Sequence, residues 1–320
     1  MSLEAPARAQ GRLQRLRGVA QSPRGLRVTA ELGLAMAGVI WGVNFVLVKF
    51  AMDYMQPLYY VGLRFLVAAV ILAPFSVKRL RRLDRRGWLM GCGVGVILFG
   101  GFACQTIGLL TISPGLSGFL TGLYVIFVPL ILLVFTGKWP SPLLAVGVVV
   151  VVGGLALLSI YGELGFGWGE VITVFGAVLW ATHILAVAHG TPRISAVAFV
   201  ELQMIVCAVL SLLTAFVFER PQLFPGWQGM SVVLWTGLMG GVVAYLLMVL
   251  GQRHAPPTLA GVLMSLEAVF ALIVSIIWGY DSITPRILLG FMLVFAGTTL
   301  ARFGSEREPA LAVEPAPPAP

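Results

Sequence analysis

Charged residues are scarce in this sequence, and their scarcity limits the class of protein. Of the 320 residues, only 11% are Asp, Glu, Lys or Arg, whereas 59% are hydrophobic. A soluble domain could not keep so apolar a chain in water. This balance is instead typical of a helical membrane protein with many spans.

Cysteine and histidine are also scarce, with three residues of each. The cysteines, Cys92, Cys104 and Cys207, all fall inside apolar runs, so no disulfide framework is expected. The histidines are at positions 183, 189 and 254. They have no second ligand at helical spacing, and the sequence holds neither HExxH nor a Ser/His/Asp cluster. We therefore predict no metal, no cofactor and no catalytic residue, and a membrane-embedded enzyme is the weaker alternative.

Long apolar runs dominate what is present. Runs that could cross about 30 Å of hydrocarbon recur ten times along the chain. The predicted spans are 31–51, 57–77, 88–108, 115–135, 142–161, 168–188, 194–217, 230–250, 257–279 and 283–302. The loops between them are too short for an extramembrane domain. The sequence thus predicts an all-α integral membrane protein with ten transmembrane helices.

The net charge of +8 follows this topology. Basic residues concentrate before the first span and in KRLRRLDRR, residues 78–86, and most of the others fall in later loops on the same side. Positive residues mark the cytoplasmic side of a membrane. We therefore expect a multi-pass protein of the cell (inner) membrane with both termini in the cytoplasm. Its partners would be the lipid bilayer and a small-molecule substrate, with no nucleic acid and no required oligomer.

The chain also contains an internal repeat. A shift of 143 residues sets SPGLSGFLTGLYVIFVPL (113–130) over PPTLAGVLMSLEAVFALI (256–273) without a gap. A shift of 139 residues sets AGVIWGVN (37–44) over GAVLWATH (176–183). Each half then holds five spans, an odd number, so the second half is inverted relative to the first. Secondary transporters have this architecture, with the substrate site where the halves meet. A duplication retained for stability alone is the alternative.

The repeat divides the chain into four parts. A basic N-terminal segment, 1–30, is expected to be disordered, and so is the Pro/Ala-rich cytoplasmic tail, 303–320. The first five-span repeat covers 31–161, and the second, inverted repeat covers 162–302.

One carboxylate, Glu267, lies in the middle of the ninth span. Placing a charge at the bilayer centre costs about 2.5–3.5 kcal/mol even on lenient insertion scales. Its repeat partner is Tyr124, which shares a helical face with Ser117 and Thr121. We expect Glu267 to face a cavity between the halves, because lipid offers it no hydrogen bond. A purely structural carboxyl, bonded to helix-end backbone or held protonated, is the alternative.

Other deep side chains extend this predicted cavity, which is aromatic, rich in methionine and weakly polar. The predicted wall comprises Trp41, Asn44, Ser117, Thr121, Tyr124, Trp180, His183, Tyr245, Met248, Met264 and Glu267. Glu267 and His183 are the candidates for proton coupling. A lone histidine in a helix is also compatible with simple packing, and core packing is the alternative for the aromatic residues.

Three other charged residues within the spans are predicted to lie outside the cavity. Arg64 and Glu201 hold corresponding places in the second and seventh spans, nearer a membrane face than the centre. We favour snorkelling or a structural pair there, and a functional role of the two residues is the alternative. Lys49 lies near the end of the first span, where it could reach the lipid headgroups.

The positions of glycine and proline predict where the helices are kinked or weakened. Pro129 removes one helical hydrogen bond from the fourth span, which predicts a kink at that residue. Gly100 and Gly101 are expected to weaken the third span, and Gly240 and Gly241 the eighth. These spans and the ninth are the candidate gating elements.

Four stretches carry a resemblance to a known family. They are WGVN (41–44), LRFLVAAVILAPF (63–75), FLTGLYVIFVPL (119–130) and GGVVAYLLMVLGQRHAPPTLAGVLMSLEAVFALI (240–273). The sequence resembles the EamA-type, ten-helix branch of the drug/metabolite transporter superfamily over residues 31–302. The resemblance implies two inverted five-helix bundles around a central cavity and transport by alternating access.

The resemblance includes a bacterial amino-acid exporter branch. Together with the aromatic cavity, it leads us to expect an exporter of small metabolites, amino acids with apolar or aromatic side chains first. The alternative within the superfamily is an exporter of drugs or lipophilic metabolites. A channel is disfavoured, because the deep polar groups are few and the halves inverted. Proton-coupled antiport and facilitated diffusion both remain open.

Overall fold

The computed structural model describes residues 23–159 and 167–305, and all regular structure in these ranges is helical. The helices are α1 (Pro23–Ala51), α2 (Pro57–Leu80), α3 (Arg85–Gly108), α4 (Pro114–Gly122), α5 (Tyr124–Thr136), α6 (Pro142–Ser159), α7 (Trp168–Gly190), α8 (Ala196–Phe218), α9 (Gly226–Trp235), a π-helical segment (Thr236–Val243), α10 (Ala244–Gly251), α11 (Pro257–Met264), α12 (Leu266–Ile277) and α13 (Pro285–Ser305). The predicted all-helical class is confirmed.

Eight apolar stretches in the described ranges are long enough to cross a membrane. They are Gly25–Ala51, Pro57–Leu80, Arg85–Gly108, Pro114–Thr136, Trp168–Gly190, Ala196–Phe218, Gly226–Gly251 and Pro257–Ile277. The fifth and tenth predicted spans correspond to α6 and α13, whose apolar stretches are shorter, Pro142–Gly154 and Leu288–Ala301. Because α1 begins at Pro23, the end of the predicted disordered segment is helical. Its first 22 residues and residues 306–320 of the tail lie outside the described ranges.

Two of the membrane-spanning stretches are interrupted at corresponding places. One stretch breaks at Leu123, between α4 and α5, and the other at Ser265, between α11 and α12. At both breaks a helical hydrogen bond joins residues three apart in place of four. Ile126 N–H donates to the Leu123 carbonyl at 2.9 Å, and Ala268 N–H donates to the Ser265 carbonyl at 3.1 Å. Bonds three residues apart of this kind mark a local 3₁₀ turn.

The predicted positions of weakness differ in how their helices are built. Pro129 lies inside α5, and the nearest interruption is at Leu123. A proline disturbs the turn that precedes it, whereas this interruption lies further upstream, next to Gly122. Gly100 and Gly101 lie in an unbroken α3, where the absence of a side chain lets α7 approach. By contrast, Gly240 and Gly241 lie inside the π-helical segment, as expected of a weakened helix.

The pair α6 and α13 packs antiparallel through glycine with reciprocal geometry. A methyl group placed on Gly154 would lie 2.8 Å from the carbonyl oxygen of Gly290. One placed on Gly297 would lie 2.8 Å from the carbonyl oxygen of Gly147. Gly290 and Gly297 are the repeat partners of Gly147 and Gly154, so each helix presents the same contact to the other.

Polar side chains at the helix ends are bonded to backbone groups. Lys49 Nζ donates to the carbonyl oxygen of Leu109, beyond the end of α3, at 2.6 Å, and to two further carbonyls of that turn. This overturns the prediction that Lys49 reaches the headgroups, because free helix-end carbonyls are nearer partners. Glu219 accepts from the N–H groups of Leu58 and Tyr59, in the first turn of α2, at 2.8 and 2.9 Å.

Candidate functional site

A cavity lies between the interrupted helices and α1, α2, α3, α7 and α10. It is lined by Trp41, Asn44, Phe45, Val48, Arg64, Phe102, Gln105, Leu109, Thr121, Tyr124, Trp180, Ile184, Tyr245, Met248, Met264 and Glu267. Most of these side chains are aromatic or aliphatic, so the wall is apolar with a few polar groups. This composition is typical of a small-molecule site.

The structure brings most of the predicted cavity residues together. Trp41, Asn44, Thr121, Tyr124, Trp180, Tyr245, Met248, Met264 and Glu267 all line the cavity. Ser117 lies on α4 with Thr121 and is fully buried, but it does not line the cavity. His183 is also fully buried outside the lining. Its Nε2 lies 2.8 Å from Gln203 Oε1, and its ring packs edge-on against Tyr245.

Glu267 reaches the cavity because the ninth span breaks just before it. The residue lies in the first turn of α12, where the positive end of the helix dipole favours a negative charge. On the other side of the backbone, α1 approaches closely, since a Cβ on Gly42 would lie 2.6 Å from the Glu267 carbonyl oxygen. The carboxyl itself is 4% exposed and its Oε1 has no hydrogen-bond partner.

Tyr124 occupies the matching place in the first half. It is the first residue of α5, directly after the break at Leu123. Its hydroxyl is buried beside the Glu267 carboxyl, close enough for a side-chain hydrogen bond, although the two groups are not well aligned for one. The two repeat partners thus meet across the cavity, each at the start of a broken helix.

The structure corrects the sequence-based assignment of Arg64. It was expected near a membrane face, as a snorkelling side chain or the partner of Glu201. The structure instead places it in the cavity wall with 2% exposure. Its Nε and Nη2 are buried without hydrogen bonds. Glu201 faces Ser76 instead, and no ion pair joins the two within the described parts of the chain.

Aromatic rings surround the Arg64 guanidinium. Its central carbon lies 4.6 Å from the ring centre of Phe102, 4.8 Å from Phe65 and 5.7 Å from Tyr60. Cation–π contacts contribute about 0.5–2 kcal/mol each. Burying a charge costs several kcal/mol, so the rings offset part of that cost and the cation still lacks an anion.

Two tryptophans related by the repeat line opposite parts of the wall. Trp41 Nε1 donates to the carbonyl oxygen of Gly240 at 3.1 Å. Trp180 stacks over Gly101, where a Cβ would lie 3.1 Å from its ring. The indole N–H of Trp180 is buried without a partner. Gly240 and Gly101, which the sequence marked as weak points, are thus the residues that the two indoles contact.

Sequence reasoning missed part of the wall. Phe102 and Gln105 both lie on α3, and Gln105 Nε2 donates to Thr121 Oγ1 at 3.1 Å. A glutamine inside an apolar run was a visible signal for the cavity. Phe102 carried none, because phenylalanine is common in any membrane span.

Comparisons with known proteins agree with this structure. The model of the EamA-like transporter family matches residues 28–160 and again residues 167–303. An uncharacterized transporter of Archaeoglobus fulgidus is 29% identical over 271 residues, which is 84% of each chain. The uncharacterized transporter YvbV of Bacillus subtilis is 24% identical over 90% of this chain and 96% of its own length.

Two further matches extend the comparison. The uncharacterized inner membrane transporter YedA of Escherichia coli is 23% identical over 85% of this chain and 90% of its own. A solved crystal structure superposes with a TM-score of 0.73 over 88% of this chain and 98% of the other, at 20% identity, and so shares the fold. With two matches of the family model across most of its length, the chain belongs to the EamA-like transporter family of the drug/metabolite transporter superfamily and is a multi-pass membrane transporter.

Proposed function

We propose that this transporter exports small metabolites by alternating access, with amino acids that carry apolar or aromatic side chains as its first substrate class. One observation carries the proposal. Six cavity side chains keep buried polar atoms without a well-formed hydrogen bond, namely Asn44, Arg64, Tyr124, Trp180, Tyr245 and Glu267. Among them, Tyr124 and Glu267 lie beside one another. Buried polar groups in proteins are otherwise nearly always paired. A polar substrate is the partner that these groups would gain.

The apolar part of the wall supports an apolar or aromatic substrate body. Trp41 and Tyr245 pack edge to face with ring centres 5.1 Å apart, and Phe102 and Trp180 do so at 4.7 Å. Met248 and Met264 complete this surface, and methionine adapts to differently shaped side chains. The wall therefore suits a family of related side chains better than a single one.

We further propose ten spans arranged as two inverted repeats, with α6 and α13 as the fifth and tenth. The reciprocal glycine contacts of this antiparallel pair support a two-fold axis in the membrane plane, since only that axis exchanges antiparallel helices. Trp41 contacts Gly240, and Trp180 contacts Gly101. The two contacts join repeat-related positions and support the same axis. The positive-inside rule supports termini in the cytoplasm.

The interruptions beside the cavity are the proposed moving parts. Discontinuous helices at the midplane are a recurring feature of secondary transporters, and π-helical segments are frequent at functional sites. Here the breaks at Leu123 and Ser265 and the segment Thr236–Val243 all adjoin the cavity. Glu267 is the proposed proton-coupling residue. His183 is less suited, because it lies outside the cavity and pairs with Gln203.

Uptake into proteoliposomes tests the proposal. The purified chain is reconstituted, and entry of radiolabelled phenylalanine, leucine, glutamate and lysine is followed with and without an imposed pH gradient. Accumulation of phenylalanine and leucine only with the gradient supports coupled export. Equilibration regardless of the gradient supports facilitated diffusion. If none of the amino acids enters faster than into empty liposomes, the amino-acid assignment is wrong.

A further inference from the structure

We propose that Arg64 binds the carboxylate of the transported molecule, so that the substrates of this cavity are organic acids or zwitterions with an apolar or aromatic body. This inference rests on the proposed transport function and names the chemical class of its substrate. It starts from the buried guanidinium, whose Nε and Nη2 have no hydrogen-bond partner. Arginine keeps its positive charge inside proteins, so the site holds a buried cation to which an anionic ligand could bind.

The two buried carboxyls of the bundle do not supply that anion. Glu201 faces Ser76, and Ser76 lies about 18 Å along α2 from Arg64 at 1.5 Å per residue. Glu267 belongs to the part of the wall that Tyr124 shares. Among the described residues, neither carboxyl forms an ion pair with Arg64. Tyr245 is within electrostatic range of both Arg64 and Glu267.

A second donor converges with Arg64 at Gly240. A Cβ on Gly240 would collide with Asn44 Nδ2 and would lie 3.3 Å from Arg64 Nη2. The glycine thus leaves open the space where these two groups approach one another. Both amide atoms of Asn44 are buried without partners, so its NH₂ is free to donate. Two adjacent donors, one of them charged, match the two oxygens of a carboxylate.

The nearness of the aromatic rings to the guanidinium is compatible with the same ligand. The guanidinium carbon lies within 5 Å of the Phe65 and Phe102 ring centres. Rings cover the faces of a guanidinium and leave its in-plane N–H groups for hydrogen bonds. A carboxylate needs those in-plane groups, whereas a lipophilic cation would meet a like charge. The cavity should therefore reject cationic drugs of similar size.

Binding of matched ligands tests the role of Arg64 apart from transport. The purified full-length chain in detergent micelles is dialysed to equilibrium against radiolabelled 3-phenylpropionate or against 3-phenylpropanamide, its neutral counterpart. We expect the acid to bind at least about tenfold more tightly, the value of one charge-assisted hydrogen bond. Arg64→Gln should abolish this preference. The matched control is Arg253→Gln, since Arg253 lies outside the cavity lining and donates to the Ile194 carbonyl at 3.0 Å, and it should retain the preference.

The outcomes separate the two proposals. Equal binding of acid and amide by the unaltered chain, or binding of neither, overturns the role of Arg64, and so does a preference that survives Arg64→Gln. An acid preference that depends on Arg64, combined with failure to transport any amino acid, overturns the amino-acid assignment and leaves the carboxylate site standing. If Arg64→Gln does not fold, Asn44→Ala replaces it and should weaken acid binding by a smaller factor while amide binding stays unchanged.

Discussion

The same apolar bundle supplies hydrogen-bond partners to polar groups at its helix ends but leaves polar groups in the cavity without them. At the ends, Lys49 reaches three carbonyl oxygens and Glu219 accepts from two backbone N–H groups. In the cavity, Asn44, Arg64 and Trp180 keep buried atoms without partners. Lys49 and Glu219 are half-buried, whereas the cavity groups are buried and would gain more from a partner.

The difference teaches which polar residues serve the fold. A polar group that completes a helix end lowers the cost of burying free backbone groups and therefore stabilises the protein. A buried group without a partner destabilises it, and such groups gather where function uses them. A few unpartnered atoms also lie elsewhere, on Ser117, His183, Glu201 and Gln252, but six side chains of one cavity share this property.

The largest expected effect is the loss of transport on changing Glu267 to Gln. The amide keeps the shape of the carboxyl but cannot take up and release a proton, so we expect uptake to fall by a factor of about ten to a hundred, as for loss of one strong hydrogen bond. Any stimulation by a pH gradient should vanish. The melting temperature in detergent should not fall, since the side chain keeps its shape and its buried position. The control is Glu201→Gln, outside the cavity, which should keep the uptake. Unchanged uptake and pH response in Glu267→Gln would support the structural alternative.

A smaller loss of transport is expected from Gly240→Ala. The added methyl group would collide with Asn44 Nδ2 and would displace the two donors that converge there. We expect uptake to fall about tenfold, mainly through weaker substrate binding. Gly93→Ala is the matched control, because a Cβ on Gly93 has nothing within 4 Å. Equal behaviour of the two variants would mean that Gly240 does not shape the site.

The helix ends should respond in stability and hardly in transport. Glu219→Ala leaves the N–H groups of Leu58 and Tyr59 without acceptors, which should lower the free energy of unfolding by about 1–3 kcal/mol. Glu219→Gln keeps one carbonyl acceptor and should lose less. Thermal unfolding in detergent micelles measures both variants. Uptake per folded molecule should change less than twofold, and a larger loss would place Glu219 in the transport cycle.

Part of this site was predictable from the sequence because the repeat and the rare polar residues agree. Glu267 and Tyr124 are repeat partners at the centre of apolar runs, and Trp41 and Trp180 align in the other register. All four line the cavity. A polar side chain deep in a membrane span is costly, so its position alone is informative.

The rest required the three-dimensional packing. Arg64 lies beside the cavity because α2 packs against the glycine-rich π-helical segment, where a Cβ on Gly237 would lie 2.7 Å from the Arg64 carbonyl oxygen. No hydropathy pattern shows that approach. His183 follows Trp180 by one helical turn, yet it turns to Gln203, because residues three apart share a face only approximately.

Two tyrosines allow the most direct test of whether the unpartnered cavity groups bind substrate. Tyr124 and Tyr60 are both buried, but Tyr60 donates to Thr236 Oγ1 at 2.9 Å outside the cavity lining, whereas the Tyr124 hydroxyl lines the cavity beside the Glu267 carboxyl without a well-formed hydrogen bond. Each is changed to Phe, and phenylalanine uptake per folded molecule is measured beside the melting temperature. The account predicts that Tyr124→Phe loses uptake at unchanged stability. It also predicts that Tyr60→Phe loses about 1 kcal/mol of stability and keeps uptake. If Tyr124→Phe transports normally, or if both variants lose uptake alike, the central claim is contradicted.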